Sequence, residues 1–458
     1  MPDLTTRPGT ATRLRTASRL LLSTGVRPSR LLLDVTPLRD SPAFRRLWLG
    51  QGLSQIGGQM TVFAVALQVY QLTGSSAAVG LLGLAVAGPV VLFAAVGGSL
   101  GDTLDRRRLV LVTSSLQTGV SVLFAVQAFA GLRSPGVLYL LVALQSLVGS
   151  VNAPARRAFT PRLLPRDRLA AAAALNALTM QVGAVAGPAC AGLVAAAWGL
   201  KACYLLDALS FGAALYGVAR LPAMPPQGGA AARKLAGVGE AVALVRSRGE
   251  LAGAFLADLC IALVASPAAL LPAICAERFG GRPQELGLLV AAGAVGGVLA
   301  SACSGPAGRV GRPGRAALIC CAAYGVAVAA FALTDGLTAA LLCLAVAGAA
   351  DTLAVVFHST VVQLSTPDRL RGRIGAVEFV VGIGGTQLGR LRGGTLGALL
   401  GTSTAVLGGG LAAVAATALV AAAAPAFTRY RAEPAERADT AETTQTAQTA
   451  GPTRAAGT

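Results

Sequence analysis

The sequence predicts an all-α membrane protein with twelve transmembrane helices in two six-helix pseudo-repeats. Three observations predict this fold: long apolar stretches between positions 47 and 424, arginines concentrated in alternate gaps between them, and motifs that recur at about half the chain length. A helix needs about 20 apolar residues to cross the ~30 Å hydrocarbon core of a bilayer. Of the 458 residues, 54% are hydrophobic and 13% are charged, against about 25% charged residues in soluble domains.

The apolar stretches define the predicted spans, and the charges orient them. The spans cover 47–71, 77–100, 109–131, 136–155, 169–197, 202–220, 251–275, 285–304, 315–334, 337–358, 374–400 and 403–424. Basic clusters lie at 45–46, 106–108, 156–168, 220–248, 309–315, 369–373 and 429–431, in alternate gaps. Because Arg and Lys near span ends stay on the cytoplasmic side, we expect a multi-pass protein of the cell membrane with both termini in the cytoplasm.

The chain also resembles itself at half length. Positions 165–169 read Pro-Arg-Asp-Arg-Leu and positions 367–370 read Pro-Asp-Arg-Leu, an offset of 201 residues. A glycine-rich pattern at 183–192 recurs at 385–394. These matches predict a cytoplasmic extension (1–43), an N-terminal six-helix bundle (44–220), a cytoplasmic linker (221–250), a C-terminal six-helix bundle (251–428) and a disordered cytoplasmic tail (429–458).

The composition argues against several other classes. The net charge of +18 comes from scattered clusters and the aromatic content is 5%, so nucleic acid is not an expected partner. The chain has one histidine and eight dispersed cysteines without a CxxC pair, so no metal or cofactor is expected. No nucleophile–base pair and no phosphate-binding loop appear, so the chain is not an expected enzyme. The expected partners are the lipid bilayer, protons and a small-molecule substrate, and we expect a monomer.

The loop between the second and third spans contains Gly98, Asp102, Asp105, Arg106 and Arg107. It resembles the signature loop of the major facilitator superfamily, although Asp105 stands where glycine is usual. The resemblance implies two rocking halves with a substrate site between them. It also implies a gating role for this loop, in which the acid and the bases pair across helix ends in the outward-facing state. A simple topogenic turn is the alternative.

The fifth span contains Gly183, Gly187, Pro188 and Gly192. This spacing resembles the fifth-span motif of major facilitator exporters, which implies antiport. Glycines four residues apart let two helices approach closely, and proline removes a backbone donor. Packing alone, without any bearing on direction, is the alternative.

The resemblance narrows to the enterobactin exporter subfamily over about 31–425. It rests on Leu-Leu-Leu-Asp at 31–34, Pro-Ala-Phe-Arg at 42–45, Asn-x-Pro-Ala-Arg-Arg at 152–157 and Thr-Pro-x3-Arg-Gly-Arg at 366–373. It implies secondary active efflux of a siderophore-like or lipophilic small molecule, with proton antiport. A facilitator or importer with the same fold, or a non-transporting membrane sensor or scaffold, remains an alternative.

Acids inside predicted spans are candidates for proton coupling, because charge inside a membrane is costly and is usually functional. These candidates are Asp207, Asp258, Asp351 and Glu378. Asp258 ranks first, because the seventh span faces the central cleft in this superfamily. A packed, hydrogen-bonded acid with no transport role is the alternative for each.

The candidates for the substrate cavity are Gln55, Gln59, Gln145 and Arg392. Gln55 and Gln59 lie on one face of the first span, either as a cavity wall or as hydrogen bonds between helices. Arg392 shares a helical face with Glu378 at ~100° per residue, whereas Arg390 points away. Snorkelling to the interface is the alternative for both arginines.

Overall fold

The structure, a computed structural model, describes residues 34–103, 105–157, 159–221, 238–305 and 310–431, without the side chains of 94–103, 238 and 368. Within these ranges the chain is helical. The first part comprises α1 (Thr36–Asp40), α2 (Pro42–Thr73), α3 (Ser76–Thr103), α4 (Arg106–Phe129), α5 (Pro135–Arg157), α6 (Thr160–Leu163), α7 (Leu169–Trp198) and α8 (Leu200–Ala219).

The second part begins at residue 238, inside the predicted linker. It comprises α9 (Val238–Ser247), α10 (Gly249–Val264), α11 (Leu271–Arg278), α12 (Pro283–Ala302), α13 (Pro313–Ala332), α14 (Leu337–Ser365), α15 (Arg371–Leu400), α16 (Thr402–Ala423) and α17 (Pro425–Arg429). We call α2–α8 the N-terminal half and α10–α16 the C-terminal half.

Nine helices in the described part of the chain are long and apolar enough to cross a membrane. They are α3, α4, α5, α7, α8, α12, α13, α14 and α16. The helices α2, α10 with α11, and α15 pack beside them but carry more polar residues or are interrupted. A count of twelve spans therefore stays a prediction, while the all-helical membrane fold is confirmed.

The predicted seventh span, 251–275, is not one continuous helix. Helix α10 ends at Val264 and α11 begins at Leu271. Pro267 lies in the break, and proline cannot donate a backbone hydrogen bond to a preceding turn. The interruption places irregular backbone inside the bundle, which membrane proteins tolerate only where protein or a cavity covers it.

The helices reverse direction over very short connections. Gly199 and Gly401, with φ of +79° and +87°, turn the chain between α7 and α8 and between α15 and α16. We call the end of the bundle with the connections at 74–75, 130–134, 199, 279–282, 333–336 and 401 the far end. The opposite end, with residues 34 and 431, is the termini end.

The two halves meet through α3 with α15 and through α7 with α12. A methyl group on Gly80 of α3 would lie 2.9 Å from the carbonyl oxygen of Arg390. One on Gly287 of α12 would lie 2.7 Å from the carbonyl oxygen of Pro188. These positions lie in the far-end parts of their helices, so glycine brings the halves into backbone contact at the far end.

Several arginines bind the carboxyl ends of helices. Arg107 donates to the carbonyl oxygen of Ala219 at 2.7 Å, and Arg248 to that of Ser365 at 2.9 Å. Arg278 donates to the carbonyl oxygen of Ala332 at 2.6 Å. The last carbonyl groups of a helix have no partner within it and carry partial negative charge. Part of the positive charge of the chain therefore stabilises helix ends.

Candidate functional site

A cavity of about 530 Å³ lies between the two halves. Its walls are mainly apolar, with Phe63, Leu82, Phe124 and Leu286 among them. The polar and charged side chains on the wall are Gln55, Gln59, Thr61, Gln145, Ser146, Asp207, Gln387 and Arg390. A cavity of this volume, apolar with a few polar groups, has the dimensions of a site for a drug-sized molecule.

The glutamines of α2 are held in place by the glycines of α7. A methyl group on Gly183 would lie 2.5 Å from Cγ of Gln55, and one on Gly187 would lie 2.3 Å from Cβ of Gln59. Pro188 itself lies on the cavity wall. The fifth-span motif therefore lets α7 approach α2 closely enough for both glutamines to border the cavity.

Asp207 lies on the same wall, fully buried in α8. Its Oδ2 accepts hydrogen bonds from the hydroxyl groups of Thr61 at 2.8 Å and Ser121 at 2.9 Å. Its Oδ1 is buried without a hydrogen-bond partner among the described residues. Neutral donors from α2 and α4 thus hold this carboxylate in the N-terminal half.

The structure places Arg390, and not Arg392, on the cavity wall. The guanidinium of Arg392 donates to the carbonyl oxygen of Val264, the last residue of α10. The glycines of this face pack against α10: a methyl group on Gly389 would lie 2.0 Å from the carbonyl oxygen of Ala262. The glycine face of α15 therefore packs against α10, where Arg392 stabilises the end of that helix. A different face of α15, with Arg390, borders the cavity.

Three titratable side chains come together in the C-terminal half. Nδ1 of His358 lies 3.0 Å from the carbonyl oxygen of Ala254. A carbonyl oxygen only accepts, so Nδ1 carries the proton there. The other nitrogen, Nε2, lies 3.5 Å from Oε1 of Glu378, and the charge of Asp258 interacts with both residues. This cluster joins α10, α14 and α15, and none of its members is among the described residues that line the cavity.

Two further candidates stand apart from these groups. Asp351, on α14, is close enough to Asp258 for their charges to interact. In the predicted gating loop, the carboxylate of Asp105 accepts a hydrogen bond from the backbone of Arg108 at 2.9 Å and caps α4. The side chain of Asp102 and the surroundings of Gly98 lie outside what the structure describes, so the pairing predicted for Asp102 stays a prediction.

Three residues around these sites were missed or discounted at the level of sequence. Gln387 and Arg390 line the cavity, and His358 joins the acidic cluster. Spacing by three residues puts Gln387 and Arg390 on one face, which was a usable signal. His358 is the single histidine of the chain and lies in a predicted span, which was a signal as well.

Known proteins resemble this chain over nearly its whole length. The family described as transmembrane secretion effector matches residues 34–453. An enterobactin exporter from Shigella boydii serotype 18 is 26% identical over 406 residues, covering 88% of this chain and 97% of the relative. The enterobactin exporter from Citrobacter koseri is 27% identical over 386 residues, covering 84% and 92%.

Solved transporters share the fold. The nucleoside transporter NupG superposes with a TM-score of 0.69 at 14% identity, covering 85% of this chain and 99% of that one. A bacterial homologue of the iron transporter ferroportin superposes with a TM-score of 0.66 at 18% identity, covering 85% and 99%.

The protein is a helical membrane bundle with a cavity between two halves. Its family and its relatives show that it is a transporter of the major facilitator type and not an enzyme. Within that class the chain belongs to the transmembrane secretion effector family. The predicted resemblance to enterobactin exporters is confirmed.

Proposed function

We propose that the protein is a secondary active exporter that moves a siderophore-like or lipophilic small molecule out of the cell in exchange for protons. The observation that carries the proposal is the cavity between the halves, next to glycine contacts that close the far end. On the predicted topology the far end faces the outside, so the cavity in this state takes its substrate from the cytoplasm. The enterobactin exporters among the relatives support the class of cargo.

Alternating access follows from how the halves touch. Gly80 and Gly394 meet where α3 crosses α15, and Gly192 and Gly287 meet where α7 crosses α12. Backbones in contact through glycine can separate without breaking side-chain hydrogen bonds. Rocking of one half against the other would open these contacts and expose the cavity to the far side, as in transporters built from two repeats.

The cluster of Asp258, His358 and Glu378 is the site we assign to the proton. Histidine is the side chain whose ordinary titration lies nearest neutral pH, and its free nitrogen faces a carboxylate here. The cluster joins α10 to α15. Helix α10 ends at Val264, just before the helix break whose residues Ala268 and Ala269 line the cavity, and α15 lines the cavity with Gln387 and Arg390. A change of charge in the cluster would therefore act on two helices that form the substrate site.

The two other groups of candidates have supporting roles in this proposal. Asp207 is held by two hydroxyl donors, which favours a fixed polar wall of the cavity over a proton carrier. The loop around Asp102 and Arg107 serves as the cytoplasmic latch, and the bond from Arg107 to Ala219 anchors the loop to α8.

The test is transport into inverted membrane vesicles, in which export appears as uptake. Vesicles that contain the protein are energised by respiration, which acidifies their interior, and are given enterobactin as the probe. We expect accumulation that collapses when nigericin abolishes the pH gradient. Accumulation that is unchanged by nigericin would refute proton coupling. Enterobactin accumulation no greater than in vesicles without the protein would refute the proposed class of cargo.

A matched pair of variants localises the coupling. Asp258→Asn removes a charge inside the bundle, and Asp335→Asn removes one on the exposed connection between α13 and α14. We expect the first to lose the nigericin-sensitive part of the uptake and the second to keep it.

A further inference from the structure

The described residues of the cavity wall include one cationic side chain, Arg390. Arg390 and Asp207 are the ionisable residues among the described residues of the wall. No ion pair joins them in the described structure, and Oδ2 of Asp207 accepts hydrogen bonds from Thr61 and Ser121. Nε of Arg390 is buried and has no hydrogen-bond partner in the described part of the protein.

Two other arginines inside the bundle donate to carbonyl or hydroxyl oxygens of the protein, although Nε of Arg392 also lacks a partner among the described residues. Arg392, two residues away on the same helix, donates to Val264. Arg278 donates to Ala332 and to Ser403. An unpaired charge away from water is strongly unfavourable, so buried arginines normally have such partners. Arg390 lines the cavity, so a ligand bound there can supply the partner that the described residues do not.

Two amide oxygens on the wall of the same cavity are also unsatisfied. Oε1 of Gln387, one turn earlier on α15, and Oε1 of Gln145 on α5 are buried without hydrogen-bond partners in the part of the chain that the structure describes. Both residues line the same cavity. A ligand that meets all three groups needs an acceptor for the guanidinium and donors for the two amide oxygens. An anionic group beside hydroxyl or amide groups provides this combination.

We propose that Arg390 is the specificity-determining residue of the cavity, and that the substrate has an apolar or aromatic body with a negatively charged group held by Arg390. The apolar wall around Phe63 and Phe124 receives the body. The inference deepens the proposed export function by naming the charge of the substrate, and for the direction of transport it rests on that proposal.

The position of Arg390 also makes recognition dependent on the state of the transporter. Its backbone belongs to the far-end contact, since a methyl group on Gly83 would lie 2.4 Å from the carbonyl oxygen of Gln387 and 3.5 Å from Cβ of Arg390. Opening that contact would bring water to the guanidinium. Water competes with a bound anion, because charges attract far less in water than in a dry site. Opening of the far end therefore favours release of the anion to that side.

The test uses purified full-length protein in nanodiscs and two fluorescent probes of nearly equal shape, the anion dansylate and the neutral dansylamide. Titration of the wild-type protein should show dansylate binding about tenfold more tightly, the ratio expected from a hydrogen bond to a charged group. Arg390→Gln should remove this preference and Arg390→Lys should keep part of it. Arg392→Gln is the matched control and should retain it.

The possible outcomes separate clearly. Equal binding of both probes to the wild-type protein, or binding of neither, would overturn the inference. The inference would also be overturned if Arg392→Gln lost the preference for dansylate and Arg390→Gln kept it. Size-exclusion chromatography of each variant shows that it remains folded, and Arg390→Lys keeps the charge if Arg390→Gln does not fold. No gradient is used, so a failure of proton-coupled export would leave this result unchanged.

Discussion

Arg168 and Arg369 lie 201 residues apart, and each binds an acid on the short helix that precedes the first long helix of its half. Nη2 of Arg168 lies 3.5 Å from Oδ2 of Asp40 on α1. Arg369 donates to Glu240 on α9, which also accepts from Arg373. The same kind of ion pair therefore ties α1 to the start of α7 and α9 to the start of α15, and α7 and α15 are helices through which the halves meet.

The ion pair of Glu240 should depend on pH and salt. The hydrogen bond from Arg369, with the charges of Arg369 and Arg373, holds the pKa of the Glu240 carboxyl below its usual 4.5. A carboxyl group with a lowered pKa in the folded state stabilises the fold above its unfolded pKa. That contribution is lost as the pH falls through the lowered value. High salt should weaken this exposed pair as well.

Hydrogen exchange measures this dependence directly. Glu240→Gln should speed amide exchange in α9 at neutral pH, and the wild-type protein should approach the same rate as the pH falls below about 4.5 after correction for intrinsic exchange. Glu250→Gln, whose carboxylate lies 3.9 Å from Arg248, is the control outside this pair and should leave α9 unchanged. Equal exchange in Glu240→Gln and the wild-type protein would show that the pair does not hold α9.

The orientation of the bundle can be tested by labelling. In a background with the native cysteines replaced by alanine, Asp335→Cys lies in a far-end connection and Ser247→Cys lies at the end of α9. We expect an impermeant maleimide to label the first position in intact cells and the second only after permeabilisation. Labelling of both positions in intact cells would contradict the predicted topology.

The close packing of α7 on α2 predicts the effect of a single methyl group. Gly187→Ala places Cβ 2.3 Å from Cβ of Gln59, so the helices must move apart, which typically costs about 1–3 kcal/mol. We expect a lower melting temperature in detergent and weaker substrate binding. Gly119→Ala, where nothing lies within 4 Å, should leave both unchanged. Equal stability of the two variants would mean that the glycine is not required for packing.

Proton coupling through the acidic cluster predicts a distinct effect for His358→Gln. The glutamine side chain can still donate to the carbonyl oxygen of Ala254 but cannot carry a proton between solvent and Glu378. We expect gradient-driven accumulation in inverted vesicles to fall to the level seen with nigericin, while exchange without a gradient continues. Full gradient-driven accumulation in this variant would remove His358 from the mechanism.

Sequence reasoning predicted the helical membrane fold from hydrophobicity and charge, which act locally. It predicted the transporter class from the resemblance of its motifs to those of the major facilitator superfamily. It also singled out Gln55 and Gln59, which the structure places on the cavity wall. It chose Arg392 over Arg390, because the glycine face of α15 was interpreted as facing a cleft. That face contacts α10 instead, and which neighbour covers a small-residue face depends on tertiary packing.

Two other features could not come from sequence patterns alone. The break between Val264 and Leu271 lies in a mostly apolar stretch, so hydropathy predicts one span there although Pro267 is present. The pairs of Asp40 with Arg168 and of Glu240 with Arg369 join segments that are more than one hundred residues apart. Both depend on how distant helices pack.

If the halves separate at the far end in each transport cycle, a disulfide across that contact should stop transport. A Cβ on Gly397 would lie 3.6 Å from Cβ of Ser76, within the range of a disulfide, and its closest contact is the flexible end of Leu270. In the cysteine-free background, Ser76→Cys combined with Gly397→Cys should stop transport on oxidation and recover it on reduction, whereas each single variant stays active. Undiminished transport with the cross-link fully formed would show that the halves do not separate there during transport.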